Sequence, residues 1–304
     1  MEAFLNRLQD ILKQEQILTQ EPMKLHTTFK VGGPVDVFVK PESVEQIKEV
    51  MKAANEFQIP VYIIGNGSNL LVGDKGYRGV IIQIYKNMNQ IQCQGNEITA
   101  QAGALLSTIA KLALEQELGG FEFASGIPGT LGGAVTMNAG AYGGEMKQVL
   151  KSAVILTKEG EVKTLTTEEL KLGYRKSIII DEDYIVLEAV IELTPDAKEE
   201  IQEKMNEYAL ARRTKQPLEY PSAGSTFKRP TGYFAGKLID DAGLRGFSYG
   251  GAQVSEKHCG FVINKGDATA KDIVTLMKMV NEKVMNQFGV SLEPEVKMIG
   301  DFTE

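Results

Sequence analysis

Apolar residues Phe4, Leu5, Leu8, Ile11 and Leu12 fall on one helical face, so the chain opens with a predicted amphipathic helix. The alternating stretch "VDVFVKP" at 35–41 predicts a strand. Ser43 and Gln46 then stand at capping-box spacing. Val44, Ile47, Val50, Met51, Ala54 and Phe57 follow with helical period until Pro60 precedes "VYII". The pattern is β-α-β, and a glycine turn lies at the carboxyl end of its second strand, where α/β sheets bind ligands. A second helix, "LLSTIAKLALEQEL", stops at Gly119-Gly120. "AVILTKEGEVKTL" predicts a hairpin turning at Glu159-Gly160, and "SIIIDEDYIVLEAVIEL" a second one turning at its acidic centre.

The composition shifts at "TPDAKEEIQEKMNEYALARR", a charged helix capped by Asp196 and closed by Pro217. Beyond it, "GFVIN" predicts a strand. A long helix from about Thr269 to Phe288 carries Ile273, Leu276, Val280, Val284 and Phe288 as its apolar stripe, with Gly289 as its cap. The fold class is α+β with several sub-domains.

The chain has 304 residues, enough for two or three domains, with 43% hydrophobic and 24% charged residues. A net charge of -7 argues against nucleic acid as partner. Cys93 and Cys259 are the only cysteines, and His26 and His258 the only histidines. Neither a disulfide framework nor a metal centre is expected. With no signal peptide or membrane-length apolar run, the expectation is a cytoplasmic protein without membrane insertion.

"GNGSNLLVG" suggests a Rossmann dinucleotide turn, because Gly65 and Gly67 fit G-x-G-x-x-G, but position 70 is Leu. The following "LLVGDKGYRGVII" has no helical period to supply a helix N-terminus for pyrophosphate. A second segment, "SGIPGTLGGAVTMNAGAYGG", holds seven glycines and no charge. Such backbone suits either a buried turn or close approach to a flat or anionic ligand. Taken with Gly65–Asn69, the binding reading gains: two loops enclose an elongated dinucleotide, their N–H groups forming nests without a helix.

Residues 212–237 carry Arg212, Arg213, Lys215, Lys228, Arg229 and Lys237 against only Glu219, six cations to one carboxylate, +5 in all. The stretch is either a solvated basic face or an anion site flanking "PSAGSTF" and Ser225. Arg212 suits a bidentate grip on phosphate and Lys215 a point charge. For Arg175 in "LGYRKSI" and Glu295 in "SLEPEVKMI", each taken singly, a surface ion pair is the preferred reading over a site, and composition cannot choose between them.

Six segments occur in register: "GNGSNLLV", "GIPGTLGGAVTMNAGAYGGE", "GYRKS", "AGSTFKRP", "AGKLIDDAGLRGFSYGGAQVSEKHCGFVIN" and "LEPEV". Together they closely resemble the UDP-N-acetylenolpyruvoylglucosamine reductases (UDP-N-acetylmuramate dehydrogenases), from about Thr27 to the end of the chain. The resemblance implies an FAD-binding fold of the vanillyl-alcohol-oxidase/p-cresol-methylhydroxylase type in two sub-domains, plus an α+β substrate-binding domain. The implied boundaries are 1–24 for an N-terminal helical segment, 25–195 for the FAD domain (sub-domains about 25–93 and 94–195) and 196–304 for the substrate domain. The last residues are expected to return to the first sub-domain.

The implied activity is NADPH-dependent reduction of UDP-N-acetylglucosamine enolpyruvate to UDP-N-acetylmuramate in peptidoglycan precursor synthesis. Hydride passes from reduced FAD to C3 and a proton from Ser225 to C2. Arg175 polarises the substrate carboxylate, and Glu295 stabilises the enolic form. FAD would lie on Gly65, Asn66, Gly67, Ser68, Asn69, Leu70, Ser125, Gly126, Ile127, Pro128, Gly129, Gly132, Gly133, Asn138 and Gly140. It would bind non-covalently, because the first loop offers no histidine. Substrate would meet Arg212, Lys215, Lys228 and Gln253, in a monomer or weak oligomer.

Two departures mark the shorter branch of the family. Arg229 stands where one branch has Asn, and between Ser177 and Tyr208 there is no room for that branch's tyrosine loop. The rivals are another FAD oxidoreductase of this fold acting on a hydroxy acid, and a nucleotide-sugar-binding protein without catalysis.

Overall fold

The computed structural model describes residues 1–303. The chain divides into two compact units, each assembled from three stretches: 1–19, 37–66 and 79–210 form the first, and 20–36, 67–78 and 211–304 the second. This division differs from one drawn at 195/196. The charged helix Lys198–Lys215 stays with the first unit as far as Leu210, where its Met205 and Tyr208 pack against that unit's core.

The first unit begins with the helix Glu2–Gln9, which buries Phe4 and Leu8. It is shorter than its apolar period, since Ile11 and Leu12 lie past its end. Residues of this unit contribute to a four-stranded sheet in the order Ile17–Pro22, Pro34–Val39, Tyr77–Gln83, Val61–Ile64, the last two parallel. The helix Val44–Glu56 connects its second and fourth strands in that order and buries Ile47, Val50, Ala53 and Ala54. Ser43 Oγ accepts the Gln46 N–H at 3.2 Å, but Gln46 Oε1 bonds the Glu42 N–H at 2.7 Å, one residue earlier than a capping box requires. No helix follows Gly65–Asn69; the strands Leu70–Val72 and Tyr77–Gln83 do.

A five-stranded antiparallel sheet completes this unit, in the order Val162–Thr166, Leu150–Leu156, Ile185–Glu192, Glu97–Gln101, Ile91–Gln94. The hairpin at Glu159-Gly160 forms as expected. The second expected hairpin does not. Ile178–Asp181 is a short helix, and only Ile185–Glu192 is a strand. That strand already pairs on both edges, so no edge remains for "SIII" beside it. Periodicity cannot separate helix from strand in four apolar residues.

In the second unit the long helix Ala270–Phe288 buries Ile273, Leu276, Val280 and Val284 completely. Each such aliphatic side chain contributes roughly 1.5–3 kcal/mol. Its start is fixed twice: Thr269 and Asp272 form a capping box, and Asp74 accepts the N–H groups of Ala270 and Lys271 at 2.8 and 2.9 Å. The helix packs on a three-stranded antiparallel sheet, Ser248–Tyr249, Ala252–Val254 and Val262–Asn264, through a core that includes Phe29, Leu71, Ala252, Val254 and Val262. Lys297–Ile299 pairs in parallel with Leu70–Val72, so the last strand returns to the segment that follows the first glycine turn. No helix among the described residues is long and apolar enough to cross a membrane.

Candidate active site

In the first unit the two glycine segments meet. A Cβ at Gly65 would stand 2.1 Å from Thr130 Oγ1, so only glycine lets the loops approach this closely. Asn66 Nδ2 donates to the Pro128 carbonyl at 2.8 Å and ties them together. Thr130 is 2% exposed, and its Oγ1 has no hydrogen-bond partner among the described residues. Burying a hydroxyl without a partner costs about 1–3 kcal/mol, and a phosphate or ring-carbonyl acceptor would repay it. Around this hydroxyl Gly126, Pro128 and Gly133 are exposed, with Ser125, Ile127, Gly129 and Gly132 half-buried. The result is a neutral surface poor in side chains, with a buried donor to spare, which fits the pyrophosphate and flat ring of FAD. Thr130 escaped the sequence reading because nothing distinguishes one hydroxyl inside a neutral run; its signal is spatial.

The second glycine segment is not wholly loop. Leu131–Met137 is a seven-residue helix, so the expectation of helix-free nests holds for Ser125–Gly129 and not beyond. Leu131, Ala134 and Val135 are buried, and that packing supplies what the glycines lack in helix propensity. Asn138 ends this helix at φ +42°, and its amide is engaged by the protein itself. Its Nδ2 donates to Glu145 Oε2 at 3.0 Å and to the Gly173 carbonyl at 3.2 Å, while Oδ1 accepts the Lys147 N–H at 2.9 Å. Asn138 thereby braces the turn that carries Arg175. Gly140 lies in a two-residue strand paired with Gly144–Glu145.

That turn is tight, with Gly173 and Lys176 exchanging backbone hydrogen bonds at 3.0 and 3.1 Å. Arg175 sits at its tip at φ +55°, a conformation few non-glycine residues adopt, with its guanidinium 5.1 Å from the Tyr174 ring centroid. Strain of this kind costs about 1–3 kcal/mol and persists where surrounding structure imposes it.

In the second unit Gly67 has φ +62°, and its Cα lies so close to the His26 carbonyl that a Cβ would stand 1.9 Å away. Ser68 and Asn69 are half-buried and Leu70 is buried. Asn69 Nδ2 donates to the Glu295 carbonyl at 3.2 Å. Ser225 is exposed between buried Ala223 and buried Thr226. Its segment runs antiparallel beside residues 293–295: the Glu295 N–H donates to the Thr226 carbonyl at 2.8 Å, and the Lys228 N–H to the Glu293 carbonyl at 2.9 Å. The structure therefore pairs the backbone segments that carry Ser225 and Glu295; Arg175 belongs to the other unit.

The cations are less free than their count along the chain implies. Arg212 is only 6% exposed, whereas Lys215 is exposed. Lys228 Nζ meets Glu293 Oε2 at 3.0 Å, and Lys237 meets Asp241 at 2.5 Å. Glu293, distant in sequence, and Asp241, one helical turn past Lys237, thus offset part of the +5, and a window over 212–237 registers neither. Gln253 Nε2 donates to the Gly246 carbonyl and to Ser248 Oγ, both at 3.1 Å. Its Oε1 is buried without a hydrogen-bond partner among the described residues, an acceptor available to a ligand N–H.

Cys259 is no nucleophile. Burial pushes its thiol up to about 11, and Sγ lies 3.5 Å from Asp240 Oδ1. Burial also holds His258 below its usual 6.5, so the imidazole is neutral and its Nδ1 accepts the Gly260 N–H at 3.1 Å.

Two family descriptions match the chain: an FAD-binding domain over residues 34–166, and the C-terminal domain of UDP-N-acetylenolpyruvoylglucosamine reductase over residues 216–299. The UDP-N-acetylenolpyruvoylglucosamine reductase of Agathobacter rectalis is 56% identical over 99% of this chain and 99% of its own. The chain belongs to the UDP-N-acetylenolpyruvoylglucosamine reductase family. The crystal structure of the reductase from Thermus caldophilus superposes with a TM-score of 0.80 at 35% identity, covering 92% of this chain and 97% of that one. A fold match of TM-score 0.50 and 12% identity, over 64% of this chain and 44% of the other, links it to a Phl p 4 variant described as a glucose oxidase. The reductase family thus has an α+β fold of the vanillyl-alcohol-oxidase type, and its members are FAD-dependent oxidoreductases.

Proposed function

We propose that the chain reduces the enolpyruvyl ether of UDP-N-acetylglucosamine to UDP-N-acetylmuramate, with NADPH as the electron source, in the cytoplasm and as a monomer or weak oligomer. The observation that supports the reading is the antiparallel backbone pairing of the segment that carries the exposed Ser225 with the segment that carries Glu295.

The chemistry that bound FAD would supply is hydride relay from NADPH to C3 of the enolpyruvyl group. Gly65, Asn66, Ser125–Gly129 and Thr130 would hold it, with Gly67–Leu70, Gly132, Gly133, Asn138 and Gly140 shaping the cradle. Ser225 donates the proton to C2. A hydroxyl is a weak acid, but the carbanion forming at C2 is basic enough to take its proton. Arg175 forks onto the substrate carboxylate and stabilises the enolate charge that spreads into it. Glu295 accepts a hydrogen bond from the enolic form of the same group and so stabilises it. Lys215, Lys228 and Arg212 attract the diphosphate; one pair near 4 Å is worth up to roughly 4 kcal/mol before desolvation. Gln253 Oε1 accepts a substrate N–H.

The test is a visible spectrum of the purified protein followed by stopped-flow mixing, first with NADPH and then with the enolpyruvyl nucleotide. Bleaching on NADPH and recovery of the yellow absorbance on the second addition are expected. Recovery with a hydroxy-acid-derived acceptor but none with the enolpyruvyl nucleotide would transfer the chain to another flavin reaction. Protein that takes up no FAD would leave only a binding role.

A further inference from the structure

The geometry points to Thr226 as the positioning residue that fixes the Ser225 hydroxyl for proton transfer. This inference rests on the reading of Ser225 given above.

Thr226 is 1% exposed, and every polar group it has on the backbone side is committed to a different neighbour. Its N–H donates to the Gly260 carbonyl at 2.8 Å, and its carbonyl accepts the Glu295 N–H at 2.8 Å. Its side chain adds a third tie, because Oγ1 accepts the Val262 N–H at 2.8 Å. One residue therefore joins the Ser225 segment to the Val262–Asn264 strand on one side and to the Glu295 segment on the other.

The neighbour that receives Thr226 is itself held. Gly260 donates to His258 Nδ1, the N–H groups of Lys257 and His258 both donate to the buried Ser255 Oγ, and the Ser255 N–H closes the turn onto the Phe261 carbonyl at 2.9 Å. The backbone N–H of Thr226 thus engages a turn with its own internal bonding, and its hydroxyl holds the first residue of the strand that follows. Next to this node Ser225 is exposed, so its orientation depends on the backbone that Thr226 fixes. Aliphatic packing at position 226 could fill the same space, but it would leave the Val262 N–H buried without an acceptor. The segment would then shift to find one. A displacement of about 1 Å at a reacting group costs up to about 100-fold in rate.

The test uses the FAD-loaded full chain and measures the two half-reactions separately. Thr226→Val keeps shape and removes the acceptor; Thr226→Ser restores it. Thr226→Val is expected to slow reoxidation by the enolpyruvyl nucleotide about 10- to 100-fold, with bleaching by NADPH changed less than about twofold. Thr226→Ser is expected to recover most of the loss. In a Ser225→Ala background Thr226→Val should slow reoxidation no further, because there is no longer a hydroxyl to position.

Wild-type reoxidation by Thr226→Val, alongside a slow Ser225→Ala, would overturn the positioning role and leave the Ser225 reading standing. Equal slowing of both half-reactions by Thr226→Val, or full additivity with Ser225→Ala, would overturn it in favour of a merely structural residue. Normal reoxidation by Ser225→Ala would remove the proton-donor reading and this inference with it. Should Thr226→Val fail to take up FAD, Thr226→Cys, close in size and a weaker acceptor, enters the same comparison with the same criteria.

Discussion

The stretch Ser125–Gly133 carries no charge and meets its surroundings mainly through backbone, whereas residues 212–237 carry six cations and one carboxylate and act through side chains. In the first, function depends on atoms that are missing: Gly65 and Thr130 approach so closely that one methyl group would separate them. In the second, function depends on atoms that are present, such as the Ser225 hydroxyl and the Lys215 ammonium. The two regions should therefore fail in opposite ways. Deletion of atoms breaks the charged region, and addition of atoms breaks the glycine region.

The largest effect expected is from deletion. Ser225→Ala should slow reoxidation by the enolpyruvyl nucleotide by about 100- to 10,000-fold, the span of general acid catalysis, while bleaching by NADPH stays near normal. Equal slowing of the two half-reactions in stopped flow would make Ser225 structural. Next comes addition. Gly65→Ala forces a Cβ onto Thr130 Oγ1, and overpacking of this kind costs about 1–3 kcal/mol, or roughly 5- to 150-fold in FAD affinity. Fluorescence titration of the apoprotein measures it. Pairing Gly65→Ala with Thr130→Ala removes the nearest clashing atom and should recover part of the loss. No recovery would mean that the crowding lies elsewhere.

A smaller change is expected for Lys215→Ala. Removing one exposed charge should raise KM for the nucleotide substrate about tenfold in low salt and by much less near 0.5 M, where screening already weakens the attraction. A salt-independent rise would indicate packing instead of charge.

The smallest effect concerns pH. The folded-state value of His258 lies below its unfolded value of 6.5, so below pH 6.5 the unfolded chain binds the proton more readily and stability is lost as pH falls toward the folded value. His258→Asn keeps an acceptor for Gly260 and cannot titrate. Its urea midpoint should fall less than that of the wild type between pH 7.5 and 5.5, and parallel curves would exclude this origin.

The same contrast explains what could be read from the sequence. Helices with long apolar periods, such as Ala270–Phe288, were legible because burial follows spacing, and its caps Thr269 and Gly289 are where the residue types place them. "SIIIDED" was misjudged because four apolar residues satisfy either period, and the deciding fact, a strand already paired on both edges, lies far away in the chain. Within the site, the glycine loops and Ser225 announce themselves by composition or by resemblance to a family. Thr130 and Thr226 do not. Each is an ordinary threonine whose meaning comes from the residue opposite it: Gly65 for one, Val262 for the other. The offset of Lys228 by Glu293 was hidden for the same reason.

The parallel pairing of Lys297–Ile299 with Leu70–Val72 has a kinetic consequence. Those partners, like Asn69 and Glu295, which are 226 positions apart, can meet only after nearly all of these residues have been synthesised. Until then Phe29, Val31 and Leu71 have no C-terminal helix to cover them and remain sticky surface on a nascent chain. Closing so long a loop is entropically slow, so maturation of the second unit is the step most exposed to aggregation, and the one a chaperone would have most reason to guard.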